Sequence, residues 1–109
     1  MLFRSVQYPG GTLLYISGTA AIRSEDSLSG ADAATQTRIT LENINALTAQ
    51  TGGRIFSARI YVKYPADNAA VRPIVEAHYP DAELLFVKAE VCRPELLVEI
   101  EAAAWTANK

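Results

Sequence analysis

The C-terminal stretch Ala82 to Trp105 constrains the fold more than any other part of the chain. It reads as two alternating runs, Glu83 to Cys92 and Leu96 to Trp105, with Arg93-Pro94-Glu95 between them. Alternation at period two is the pattern of a strand with one face buried. Leu85, Val87, Ala89 and Val91 form one apolar row; Leu96, Val98, Ile100, Ala102 and Ala104 form another. The runs are predicted to pair as a hairpin with both rows on one core, because a slip of one residue would turn a row to the wrong side. Parity then places Leu84, Phe86, Lys88, Glu90 and Cys92 on the opposite face with Leu97, Glu99, Glu101 and Trp105. That face holds four ionisable side chains beside the chain's one cysteine. It is where function is sought.

The upstream signals give the rest of the architecture. Leu2 to Tyr8 and Thr12 to Ser17 read as strands around a Pro9-Gly10-Gly11 turn. Ser24 to Gly30 is a small, polar loop. A helix is predicted over Ala31 to Gln50, with Asp32 as N-cap, a stripe of Thr37, Leu41, Ile44, Leu47 and Thr48, and Gly52-Gly53 as its stop. Ile55 to Tyr64 is a strand with Ala58, Ile60, Val62 and Tyr64 on one side and Arg59, Tyr61 and Lys63 on the other. Pro65 ends it. A second helix runs from Asp67 to about Tyr79, with Val71, Ile74, Val75 and His78 on one stripe. Pro73 inside it would cost about 3 kcal/mol in a regular helix, so an irregular first turn is expected.

The order β-β-α-β-α-β-β predicts an α+β two-layer sandwich, a mixed sheet with both helices on one face. The other face is half apolar and half charged, a composition suited to burial against another copy of the chain. A homo-oligomer is expected on that ground.

With 109 residues the chain is expected to form a single domain, 1–109. The formal charge of -2 and the lack of a basic run give no footprint for nucleic acid. One cysteine forms no internal disulfide and suits a reducing, cytoplasmic setting. No membrane span and no signal-peptide core are read. His78, Cys92 and the acids have no metal-ligand spacing, and Gly10-Gly11 and Gly52-Gly53 are turns rather than phosphate loops, so no metal or cofactor is expected.

Glu99 is the foremost site candidate. A carboxyl group withdrawn from water holds its proton more readily, which suits general-acid work. The other reading of Glu99 is a structural ion pair with Lys88 or Arg59. Cys92 is either a pocket residue or an inert small hydrophobe. Arg93 could clamp a carboxylate or sit in solvent at the strand end. Arg59 and Lys88 are further cations for an anionic ligand. Ser17, before Gly18, could donate to a ligand or cap a turn. His78 reads as a core or helix-end histidine.

Ser17-Gly18, the helix through Ala33-Ala34-Thr35-Gln36-Thr37 and Leu41-Glu42-Asn43-Ile44, then Ile60-Tyr61-Val62-Lys63 and Glu99-Ile100-Glu101-Ala102 together resemble the RidA/YjgF superfamily. The resemblance spans nearly the whole chain. It implies a chorismate-mutase-like α+β fold, a homotrimer, and small-molecule sites in intersubunit clefts. It also implies hydrolysis of 2-imino acids. The arginine that binds carboxylate in that branch falls on Leu84, its cysteine on Phe86, its helix asparagine on Arg72 and its N-terminal tyrosine near Arg4. Ser17 and Glu99 are retained.

Ile16 to Ile22 and Val91 to Glu101 are similar to the C-terminal half of the chorismatases, which cleave the enolpyruvyl ether of chorismate. That likeness implies pocket roles for Cys92 and Glu99, with Glu99 as proton donor, and a small anionic metabolite as ligand. Chorismatases have two such lobes, and this chain has one.

Overall fold

The computed structural model describes residues 3–20, 22–23, 26–27, 32–89 and 96–107. Strands β1 (Phe3–Tyr8) and β2 (Gly11–Ala20) form an antiparallel hairpin around Pro9-Gly10. Gly11 is required by crowding: a Cβ there would collide with the Trp105 ring and the Thr106 carbonyl. Two short strands pair with each other, β3 (Ile22–Arg23) just before the region read as a polar loop and β4 (Asp26–Ser27) within it.

Helix α1 (Ala33–Thr51) starts and stops where the sequence predicts. The Asp32 side chain accepts from the Thr35 amide at 2.8 Å, and Gly52 closes the helix with φ of 74°. That left-handed conformation is cheap only for glycine. Thr37 and Thr40 are buried and donate to the carbonyls of Ala33 and Gln36, each at 2.7 Å, so neither hydroxyl is left unsatisfied.

Strand β5 (Arg54–Val62) follows, then a 3-10 turn over Pro65–Asp67 and helix α2 (Asn68–His78). The turn opens on Pro65 and precedes the helix, whereas Pro73, expected to make the first turn irregular, lies exposed inside α2 itself. Strands β6 (Glu83–Lys88) and β7 (Val98–Ala107) complete the chain.

The main sheet has the order β1-β2-β7-β5-β6. Both helices pack on one side of it, over a core of Leu14, Ile16, Ala58, Ile60, Val62, Val98, Ile100 and Ala104 from the strands with Ile44, Val71 and Val75 from the helices. The fold is the mixed α+β sandwich that the element order predicts.

The C-terminal hairpin is not formed. Strand β5 lies between β6 and β7, pairing parallel with β6 and antiparallel with β7. The predicted facing of β6 is also reversed. Ala58, Ile60 and Val62, all buried, stand beside Leu84, Phe86 and Lys88. Leu84 and Phe86 therefore pack toward the helices, and Leu85 is 55% exposed on the other face. The cause is local: Leu84, Leu85, Phe86 and Val87 are all apolar, so the run offers two usable rows. The helix side takes the bulky Phe86, with the Arg72 guanidinium 4.2 Å above its ring.

Candidate site on the open sheet face

No described element covers the side of the sheet away from the helices. Register decides what stands there. Arg59 pairs with Glu101 and Tyr61 with Glu99 across β5 and β7; Leu85 and Val87 flank Arg59 and Tyr61 from β6. On the other flank Ala103 pairs with Tyr15 of β2, and Tyr15 with Arg4 of β1. Tyr15, Leu85 and Trp105 are large, apolar and exposed on this face.

The polar centre is a chain of three side chains. The Tyr61 hydroxyl donates to Glu101 Oε1 at 2.7 Å. Arg59 donates to the Tyr61 oxygen at 3.4 Å and lies 3.5 Å from the same Glu101 oxygen. The hydrogen bond to Tyr61, then charge interactions with Tyr61 and Glu101, hold the Arg59 guanidinium above its ordinary pKa. An exposed ion pair of this kind adds little stability. Its effect is to fix where one carboxylate and one guanidinium point. Around it is a shallow basin of about 800 Å³, bordered among others by Arg4, Tyr15, Ser17, Glu83, Leu85 and Glu101.

Of the sequence candidates, Ser17 and Arg59 border this basin. Ser17 sits in the irregular step of β2 between Ile16 and Thr19, which turns it out of the regular ladder. Glu99 is half-buried on the same face, beside Tyr61. The β7 carboxylate bordering the basin is Glu101, two residues further on, with Glu83 of β6 the other acid at its border. Lys88 leaves the group: it stands beside Val62 at the exposed end of β6, on the helix side. Cys92, Arg93 and Glu90 lie outside the described residues. His78 is a helix-end residue, exposed, with Nε2 3.1 Å from Asn45 Oδ1.

Gln36 was not among the sequence candidates. It is wholly buried, and its side-chain oxygen accepts from the Leu97 amide at 2.8 Å. This bond pins the chain at Leu97, immediately before β7 begins at Val98. Nothing local in the sequence reveals it, because the partners are 61 positions apart. Among the described residues no helix is long and apolar enough to cross a membrane.

Comparison with known proteins agrees with this geometry. The family model described as Endoribonuclease L-PSP matches residues 4–106. The solved structure of a Rid-family protein of unknown function from Yersinia pestis is 31% identical with a TM-score of 0.76, covering 92% of this chain and 83% of that one. A YjgF-family structure from Mycobacterium tuberculosis is 28% identical with a TM-score of 0.74, covering 91% and 86%. A 3-hydroxybenzoate synthase from Streptomyces hygroscopicus is 33% identical over 106 residues, covering 84% of this chain. The match takes in 31% of that relative's length.

Proposed function

Because the chain belongs to the Endoribonuclease L-PSP family, part of the RidA/YjgF superfamily, we propose that it binds a small anionic metabolite on the open sheet face. The sites would lie in clefts between copies of a homotrimer. The chemistry would be that of a chorismatase-like hydrolase or lyase acting on an enolpyruvyl compound. The observation that carries this reading is the fixed Arg59–Tyr61–Glu101 chain beside Glu99, on a sheet face of mixed apolar and charged groups that no described element covers. The likeness to a 3-hydroxybenzoate synthase supports it. Chorismate less pyruvate is, atom for atom, a hydroxybenzoate.

In this reading Glu99 gives its proton to the terminal methylene carbon of the enolpyruvyl group. The cation left on the neighbouring carbon is stabilised by the ether oxygen. Water then adds there and the hemiketal collapses to pyruvate and an alcohol. Alternatively the ether bond breaks with loss of a ring proton, giving pyruvate and an aromatic acid. Glu101, held by Tyr61 and Arg59, is a positioning residue that fixes the anionic wall next to Glu99. Ser17 borders the ligand, and Cys92 and Arg93 would complete the wall.

Incubation with chorismate should release pyruvate, and Glu99→Gln should lower the rate by on the order of 100-fold or more. Pyruvate release no faster than in that variant rejects the reading. Residual 2-imino-acid deamination is the second reading, but Leu84 stands at the carboxylate-binding position and packs toward the helices. Accelerated ammonia release from 2-iminobutyrate would favour it. Ligand-induced thermal shifts with every turnover assay silent would favour a non-catalytic binding module. An endoribonuclease activity, as in the family's name, has little electrostatic support: Arg4 and Arg59 share the open face with Glu83, Glu99 and Glu101.

A further inference from the structure

A second hollow lies on the helix side, away from the open face. The last turns of α1, the start of β5 and the link from α2 to β6 border about 260 Å³ there. Two pairs of polar groups line it. Arg54 Nη2 lies 3.0 Å from Asp81 Oδ2, and His78 Nε2 lies 3.1 Å from Asn45 Oδ1. Tyr79 also borders the hollow, and its hydroxyl is buried with no hydrogen-bond partner among the described residues. Buried hydroxyls in native proteins are nearly always paired, so this one calls for a partner from outside the chain.

The helix ends decide which charge is welcome. Both α1 and α2 terminate at the hollow, and each presents the negative end of its dipole. The last turn of α1 has no basic residue, and that of α2 has only His78. Arg54 and Asp81 cancel each other. An ammonium group is therefore favoured beside the helix ends, where the Tyr79 oxygen can accept from it. The side chains of Arg54 and Asp81 are 78% and 76% exposed, so their pairing adds little stability and parts easily. Parted, they offer one guanidinium and one carboxylate to a molecule that carries both signs of charge.

We propose that this hollow binds a small zwitterion of the α-amino-acid class. Its ammonium group lies against the helix ends, the Tyr79 hydroxyl and Asp81, and its carboxylate lies on Arg54. The site is separate from the open face and does not depend on the chemistry proposed there.

The experiment is a titration of the protein with L-serine, followed by amide ¹H–¹⁵N correlation spectra. The amides of Arg54, Tyr79 and Asp81 should shift saturably, with a millimolar Kd. Two matched probes separate the charges: ethanolamine lacks the carboxylate and 3-hydroxypropionate lacks the amine. Each should bind about tenfold more weakly than serine, a loss of one charge-assisted contact. Asp81→Asn should weaken serine binding by about tenfold, and Arg38→Gln, exposed on α1, should leave it unchanged. Tyr79→Phe should weaken binding while raising the unfolding midpoint, a combination that a purely structural hydroxyl does not give. No saturable shift at these amides up to about 100 mM serine, or shifts confined to the open face, overturns the site. Either analogue binding as tightly as serine overturns the zwitterion. Pyruvate release from chorismate is unaffected by any of these results, so this site and the open-face reading fail separately.

Discussion

The two faces of the sheet are made from the same strands and obey different rules. On the helix side, Ile60, Val62, Val98 and Ile100 are completely removed from water, and the buried Gln36, Thr37 and Thr40 beside them are each hydrogen-bonded. On the open side, Tyr15, Leu85 and Trp105 keep between a third and a little over half of their surface exposed, and charges stand among them. One face holds the fold together. The other can be changed without unfolding the protein, which is the condition for carrying a site.

The sharpest way to break this contrast is to truncate one residue on each side. Ile100→Ala should cost about 2–5 kcal/mol in urea unfolding, since a central-strand side chain leaves a cavity that cannot collapse. Leu85→Ala should cost the isolated fold less than about 0.5 kcal/mol, with its effect appearing in assembly. Equal losses at both positions would erase the distinction.

Next in size is Gln36→Leu. The Leu97 amide would lose its acceptor, and unfolding should become easier by about 1–3 kcal/mol even though an apolar side chain replaces a polar one. Tyr79→Phe should act in the opposite direction. The Tyr79 hydroxyl is buried without a hydrogen-bond partner among the described residues, so its removal should stabilise by about 1 kcal/mol. Burial also pushes the Tyr79 phenol up to about 12. A proton held more tightly in the folded state favours folding below the ordinary phenol value of about 10 and ceases to do so as pH rises toward the folded one. Wild type should therefore lose stability relative to Tyr79→Phe between these two pH values.

The smallest effect concerns Asp32, whose hydrogen bonds from the Thr35 amide and hydroxyl hold its carboxyl below the ordinary value. A depressed carboxyl stabilises above the ordinary pKa, and the contribution disappears as pH falls through the folded one. The urea midpoints of wild type and Asp32→Ala should differ near neutrality and converge in acid. A constant gap would show that the cap acts through something other than charge.

The sequence was informative where alternation or capping left one solution. In β5, Ala58, Ile60 and Val62 could only be the buried row, because Arg59 and Lys63 could not be. Asp32 and Gly52 marked α1 through local backbone chemistry. The reading failed at β6, where Leu84, Leu85, Phe86 and Val87 made both faces acceptable. It also failed to foresee that β5 would separate β6 from β7, since strand order depends on long-range packing. For the site, the presence of Arg59, Tyr61, Glu99 and Glu101 on one face followed from parity. The bond from Tyr61 to Glu101 rather than to Glu99, its neighbour in register, needed three-dimensional side-chain placement.

The Gln36–Leu97 bond has a consequence for how such a protein can diversify. The chain before residues 90–95 is tied by the Ala89 amide to the Val62 carbonyl at 3.2 Å. The chain after them is tied by Gln36 and by the Lys63 amide, which donates to the Leu97 carbonyl at 3.0 Å. Both anchors belong to the scaffold rather than to the intervening residues. The start of β7 is thus set by α1 and β5, away from the open face. We expect exchanges at exposed Arg59 on that face to leave the melting temperature nearly unchanged, so that new specificities arise without renegotiating the core.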